Sequence, residues 1–121
     1  MNTSPKIRIL IVEDRKDQRQ LYREYFTGAG YEVSTASNAF DALRLFEAHP
    51  VAVVLSDNDL GDARMQGFEL LRIIKETRPE TVSVLMSGGN KPPEFEGFFI
   101  SKPFDCVRVS RMIEVLCNQL V

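Results

Sequence analysis

The sequence predicts an α/β fold in which a five-stranded parallel sheet carries helices on both faces. Three observations predict it. Short apolar runs alternate with amphipathic stretches along the chain. The runs are nearly continuous in Val, Ile and Leu, as strands covered on both faces require. No internal repeat or low-complexity segment breaks the alternation. A chain of 121 residues suits one domain with one proper core, so 1–121 is read as a single unit.

The elements follow in order. Residues 7–12 are apolar except for Arg8 and predict the first strand. After Asp14, the apolar residues Leu21, Tyr22, Tyr25 and Phe26 recur at helical spacing until Gly28 and Gly30 stop the helix. Residues 31–36 predict the second strand. Ser37 or Asn38 caps a helix carrying Ala39, Ala42, Leu43 and Phe46, which ends before Pro50. Residues 51–55 form the most apolar run and the third strand. Phe68, Leu71 and Ile74 mark a helix that ends near Pro79. Residues 82–86 and 98–101 predict the last two strands. Asp105 opens a closing helix with Val109, Met112, Ile113, Leu116 and Leu120 on one stripe.

Composition narrows the function. Lys and Arg total 15 against 17 Asp and Glu, a net charge of -2, which gives no electrostatic footprint for nucleic acid. No apolar run approaches the roughly 20 residues that span a bilayer, so no membrane association is expected. The N-terminal MNTSPK leads into a strand without a signal-peptide core, and the expected location is cytoplasmic. Cys106 and Cys117 fall on one helix about 16 Å apart, too far for a disulfide. His49, the sole histidine, precedes Pro50 at a helix end and is read as a surface or boundary residue.

Chemistry gathers where the strands end. Ligands of parallel sheets bind outside the carboxyl ends of the strands. The first strand ends in Glu13-Asp14 and the third in Ser56-Asp57, so three carboxylates are expected to converge if these strands are neighbours. Two such charges about 5 Å apart repel by roughly 3 kcal/mol at an effective dielectric near 20. A hard divalent cation relieves that repulsion, and oxygen ligands suit magnesium. The fourth strand ends in Ser87, before a Gly88-Gly89-Asn90 turn. The fifth ends in Ser101-Lys102-Pro103, where Lys102 would face Asp57 or an anion attached to it.

The ordered set ILIVED, VVLSD, VLMSG and ISKPF closely resembles the receiver domain of two-component response regulators, from about Lys6 to Leu120. The resemblance implies a flavodoxin-like sheet in the order 2-1-3-4-5 and magnesium-dependent phosphotransfer from a histidine kinase or histidine phosphotransfer protein. Asp57 matches the phosphoacceptor. Asp14 matches the acid that ligates magnesium directly, and Glu13 the one that acts through water. The backbone carbonyl at Asp59 matches a further ligand. Ser87 matches the hydroxyl position, Lys102 the lysine and Phe99 the aromatic switch. The chain is therefore expected to be a regulatory phosphoacceptor rather than a turnover enzyme. Its kinase, downstream partner and oligomeric state are not specified by these residues, and a stand-alone regulator and an excised domain fit equally well.

Two segments depart from the pattern. Ser87 and Lys102 are 15 residues apart, fewer than is usual, and GGNKPPEFEG between them has two prolines and three glycines. The family's fourth helix is expected to be missing or reduced to a turn. In the loop after Asp57, Gly61 stands where proline is common, and Asp59, Asp62 and, farther off, Asp17 add negative charge. Two rival readings remain. One is a degenerate receiver acting as a phosphorylation-independent interaction module. The other is a small haloacid dehalogenase-like phosphohydrolase with Asp57 as nucleophile and Asp59 as acid.

Overall fold

The computed structural model describes residues 6–118; Leu120, placed by the sequence on the last helical stripe, lies outside them. The strands are β1 (Arg8–Val12), β2 (Glu32–Ala36), β3 (Val53–Asp57), β4 (Val82–Ser87) and β5 (Phe98–Ser101). The helices are α1 (Lys16–Gly28), α2 (Ala39–Ala48), α3 (Gly67–Thr77) and α4 (Cys106–Asn118). One sheet joins the strands in the order β2-β1-β3-β4-β5, every pair parallel.

The central strands β1, β3 and β4 are rich in apolar residues because successive side chains enter different cores. Ile9 and Ile11 of β1 pack with Tyr22, Phe26, Val109 and Ile113, beneath α1 and α4. Leu10 and Val12 pack with Ala42, Phe46, Leu70 and Ile74, beneath α2 and α3. Each fully buried Leu, Ile or Phe contributes roughly 1.5–3 kcal/mol of transfer free energy, so both layers are needed to hold the sheet.

Local signals set most boundaries. Asn38 caps α2, its side-chain oxygen accepting from the Asp41 backbone N–H at 2.8 Å. Glu69 closes the start of α3 by accepting from the Gln66 backbone N–H at 3.1 Å. The third strand begins later than expected and runs through Asp57, because Ser56 and Asp57 pair with Leu85 and Met86 of β4. Leu21 corrects the sequence reading. It is 55% exposed, because the buried stripe of α1 is centred on Tyr22 and Phe26 and Leu21 falls beyond its edge.

Residues 88–97 cross from β4 to β5 through bends and turns, without a helix. Phe95 fills that side of the core with 5% exposure. Gly97 lies against its ring at φ +152°, and a Cβ there would sit 2.6 Å from Phe95 Cζ. Cys106 and Cys117 are both free thiols at opposite ends of α4.

Candidate phosphoacceptor site

The sheet order places β1 beside β3, and β3 beside β4, so residues distant in sequence leave the sheet at one rim. Glu13 follows the last residue of β1, and its backbone N–H donates to Ala36 O at 3.1 Å. Its side chain is fully buried, whereas the next residue, Asp14, is exposed. Asp57 ends β3 with 7% exposure. Carboxylate oxygens of Glu13, Asp14 and Asp57 all lie within 4.8 Å of one another.

Lys102 balances part of this charge. Its backbone N–H donates to Ser87 O at 2.8 Å, continuing the β4–β5 ladder past Ser101. Its ammonium donates to Glu13 Oε1 at 3.0 Å and stands 3.4 Å from Asp57 Oδ2. Burial pushes the Glu13 carboxyl above its ordinary range, and the Asp57 charge adds to this against the pull of Lys102. Burial alone would lower the Lys102 ammonium, but its bond to Glu13 and the nearby Asp57 charge hold it above its usual value.

Three carboxylates facing one ammonium leave an excess of negative charge in a partly desolvated recess. That donor set, oxygen only and mutually repelling, fits a hard divalent cation such as magnesium.

The other expected residues take these positions. Ser87 is half-buried at the end of β4, and its Oγ accepts from the Gly89 N–H at 3.0 Å, leaving the hydroxyl proton free to donate elsewhere. Phe99 pairs in register with Leu85 and packs partly buried against the α2–α3 core. Asp59 is exposed; its Oδ1 accepts from the Gly61 N–H at 3.2 Å, and its carboxylate is outside the group of three. The extra charge expected from Asp62 and Asp17 is offset locally. Arg64 grips Asp62 through Nε and Nη2, and Arg15 stands 3.6 Å from Asp17. A count of acids in the sequence omits these partners.

A family model described as the response regulator receiver domain matches residues 9–114. The chain belongs to that family. The receiver is 35% identical over 108 residues to the nitrogen assimilation regulatory protein NtrX of Azorhizobium caulinodans, covering 84% of this chain and 24% of that protein. It is 34% identical over 95 residues to the autoinducer 1 sensor kinase/phosphatase LuxN of Vibrio campbellii, covering 78% of this chain and 11% of that one. The crystal structure of NtrX from Brucella abortus in complex with ADP superposes with a TM-score of 0.82 at 29% identity, over 95% of this chain and 28% of that one. The receiver thus spans about a quarter or less of the curated relatives named here. Among the described residues, no helix is long and apolar enough to cross a membrane.

Four residues that shape the receiver's rim escaped the sequence reading. Ser56 is fully buried and its hydroxyl donates to Asp57 O at 2.9 Å. Asn58 joins three elements: its N–H donates to Met86 O, its carbonyl accepts from Gly67 N–H, and its Oδ1 accepts from Phe68 N–H. Gly67 lets α3 press on the strand end, since a Cβ there would lie 2.0 Å from Asp57 O. Arg19 donates from Nη1 to the backbone carbonyls of Glu13, at 2.8 Å, and Asp14, at 3.3 Å. Gly67 was visible only as a glycine before a helix, and Arg19 only as one charge on a polar face.

Proposed function

We propose that Asp57 is the phosphoacceptor of a signalling switch, taking a phosphoryl group from a histidine kinase or histidine phosphotransfer protein. The chain acts in this reading as a single receiver unit and a regulatory element of two-component signalling. The observation that carries it is the convergence of Glu13, Asp14 and Asp57 at one rim with Lys102 against two of them.

The Asp57 carboxylate attacks phosphorus in line with the leaving imidazole. A P–O bond to Asp57 forms as the P–N bond of the phosphohistidine breaks, and the imidazole leaves with the bonding pair. Lys102, already 3.4 Å from Asp57 Oδ2, neutralises charge on the transferred oxygens. Asp14 and Asp57 would hold magnesium directly, Glu13 through water and Asp59 through its backbone carbonyl. Bound there, magnesium would supply charge neutralisation for the incoming phosphoryl oxygens. The Ser87 hydroxyl donates its free proton to the acyl phosphate, and Phe99 turns into the space this movement opens. The phosphoryl group thereby favours one of two existing conformations. Water attack on phosphorus then returns the carboxylate and releases inorganic phosphate.

The phosphohydrolase reading needs Asp59 beside Asp57 as acid, and the exposed, locally bonded Asp59 carboxylate does not support it. The interaction-module reading has no observation in its favour. The test is mass spectrometry after acetyl phosphate treatment, with and without magnesium. A single added phosphoryl group on wild type, dependent on magnesium and lost in Asp57→Asn, is expected. Full labelling of Asp57→Asn overturns the assignment.

A further inference from the structure

We propose that Arg19 is a positioning residue for the cation site, fixing the backbone of the acid pair rather than touching the cation. The inference rests on the magnesium reading above. Glu13 and Asp14 lie just past Val12, the last residue of β1 with a partner in both neighbouring strands. Their carbonyls therefore fall beyond the sheet ladder, at a point where the chain must turn sharply into α1.

One nitrogen of Arg19 holds both, at 2.8 Å and 3.3 Å. Arg19 is itself anchored in the first turn of α1, where its backbone N–H donates to Arg15 O at 2.9 Å. The Arg15 N–H in turn donates to Glu13 Oε2 at 3.3 Å. The turn from β1 into α1 is thus closed by two side chains, of which only Arg19 reaches both carbonyls. Turning two peptide carbonyls toward a guanidinium fixes the orientation of the Cα–Cβ bonds of the residues that bear them. It also draws those carbonyl dipoles toward a positive charge, beside a recess that already holds three carboxylates. The expected consequence is a preorganised acid pair. Supporting groups that orient metal ligands typically govern affinity by about 10- to 100-fold.

Simple electrostatics makes the opposite forecast, which gives the proposal a sign. A guanidinium near a cation site repels the cation, so removing it should tighten binding if charge alone mattered. Positioning instead demands that removal weaken binding. Since both carbonyls use Nη1 alone rather than a two-nitrogen fork, a lysine ammonium, one bond shorter, keeps a charged donor of the same kind.

The experiment is magnesium titration calorimetry on wild type, Arg19→Ala, Arg19→Met and Arg19→Lys, with acetyl phosphate labelling rates measured across magnesium concentration. Arg19→Met retains an apolar stem and removes the donors, so the comparison stands even if the alanine variant unfolds. The expected result is a magnesium Kd raised about 10-fold in Arg19→Ala and Arg19→Met, with Arg19→Lys much nearer wild type. The labelling rate at saturating magnesium should stay within about twofold of wild type, because the reacting groups are untouched. A folded Arg19→Met with an unchanged or lower Kd overturns the proposal, as does a saturating rate that falls as far as the affinity. Wild type that takes up no magnesium overturns the metal reading itself and this inference with it. Wild type that binds magnesium no better than Arg19→Met overturns this inference alone.

Discussion

Lys102 and Glu13, 89 positions apart in sequence, meet at 3.0 Å, closer than the 3.4 Å between Lys102 and Asp57. The lysine is thus shared between a fully buried acid and Asp57, with the buried acid holding the shorter contact. Removing the ammonium in Lys102→Met takes away the partner that opposes burial and the Asp57 charge, so the Glu13 carboxyl is pushed further above its ordinary range. The variant is expected to fold, but to label with acetyl phosphate about 100-fold more slowly than wild type. A labelling time course at saturating magnesium reads this directly.

Magnesium should also act as a stabiliser. A ligand that binds only the folded state at ten times its Kd adds about 1.4 kcal/mol. Urea unfolding of wild type with and without magnesium at that concentration should differ by this amount. The difference should largely vanish in Asp14→Asn, whose acid is one of the three within 4.8 Å.

Gly67 has no room for a side chain. A Cβ would sit 2.0 Å from Asp57 O and 2.9 Å from Ser56 Oγ, and the first of these neighbours is backbone that cannot rotate away. Gly67→Ala should destabilise the protein by about 3 kcal/mol as α3 is pushed off the strand end. The shift in urea midpoint measures it. Substitution at Gly28, which a Cβ would leave with nothing within 4 Å, is the neutral control.

Phe95 anchors the connection between β4 and β5, packed in the same core as Leu85 and Ile74. Phe95→Ala should cost roughly 3–5 kcal/mol, as expected when a buried aromatic ring is removed. Hydrogen exchange should show protection lost first along 88–101, because β5 has only β4 beside it.

Tyr31 supplies a pH signature remote from the site. Its hydroxyl is buried against Ser110, 2.9 Å from Oγ and 3.1 Å from the carbonyl oxygen. Burial pushes the phenol above its usual value of 10.0, outweighing the bond to Ser110. A raised pKa means the unfolded state loses its proton first. The associated stability is therefore complete below pH 10.0 and falls as pH rises through the folded-state value. Tyr31→Phe should cost about 1 kcal/mol at neutral pH and flatten that alkaline decline. Urea midpoints at neutral and alkaline pH compare the two proteins.

Element types and the acidic strand ends were legible because they are local properties. Continuous Val, Ile and Leu runs such as the one through Val53, Val54 and Leu55 can be buried on both faces only within a covered sheet, and Asp57 follows that run in sequence. The sequence by itself therefore determined five strands, the placement of Glu13, Asp14, Asp57, Ser87 and Lys102 at their ends, and the resemblance those positions carry. Only the tertiary structure decided which side chains meet. It assigned the Lys102 ammonium to Glu13 first, neutralised Asp62 with Arg64, exposed Leu21, pressed α3 onto Asp57 through Gly67, and closed the acid turn with Arg19. Alternation depends on neighbours along the chain, whereas contacts a few ångströms long depend on how distant segments cross. A glycine or an arginine carries no mark of the backbone it will touch.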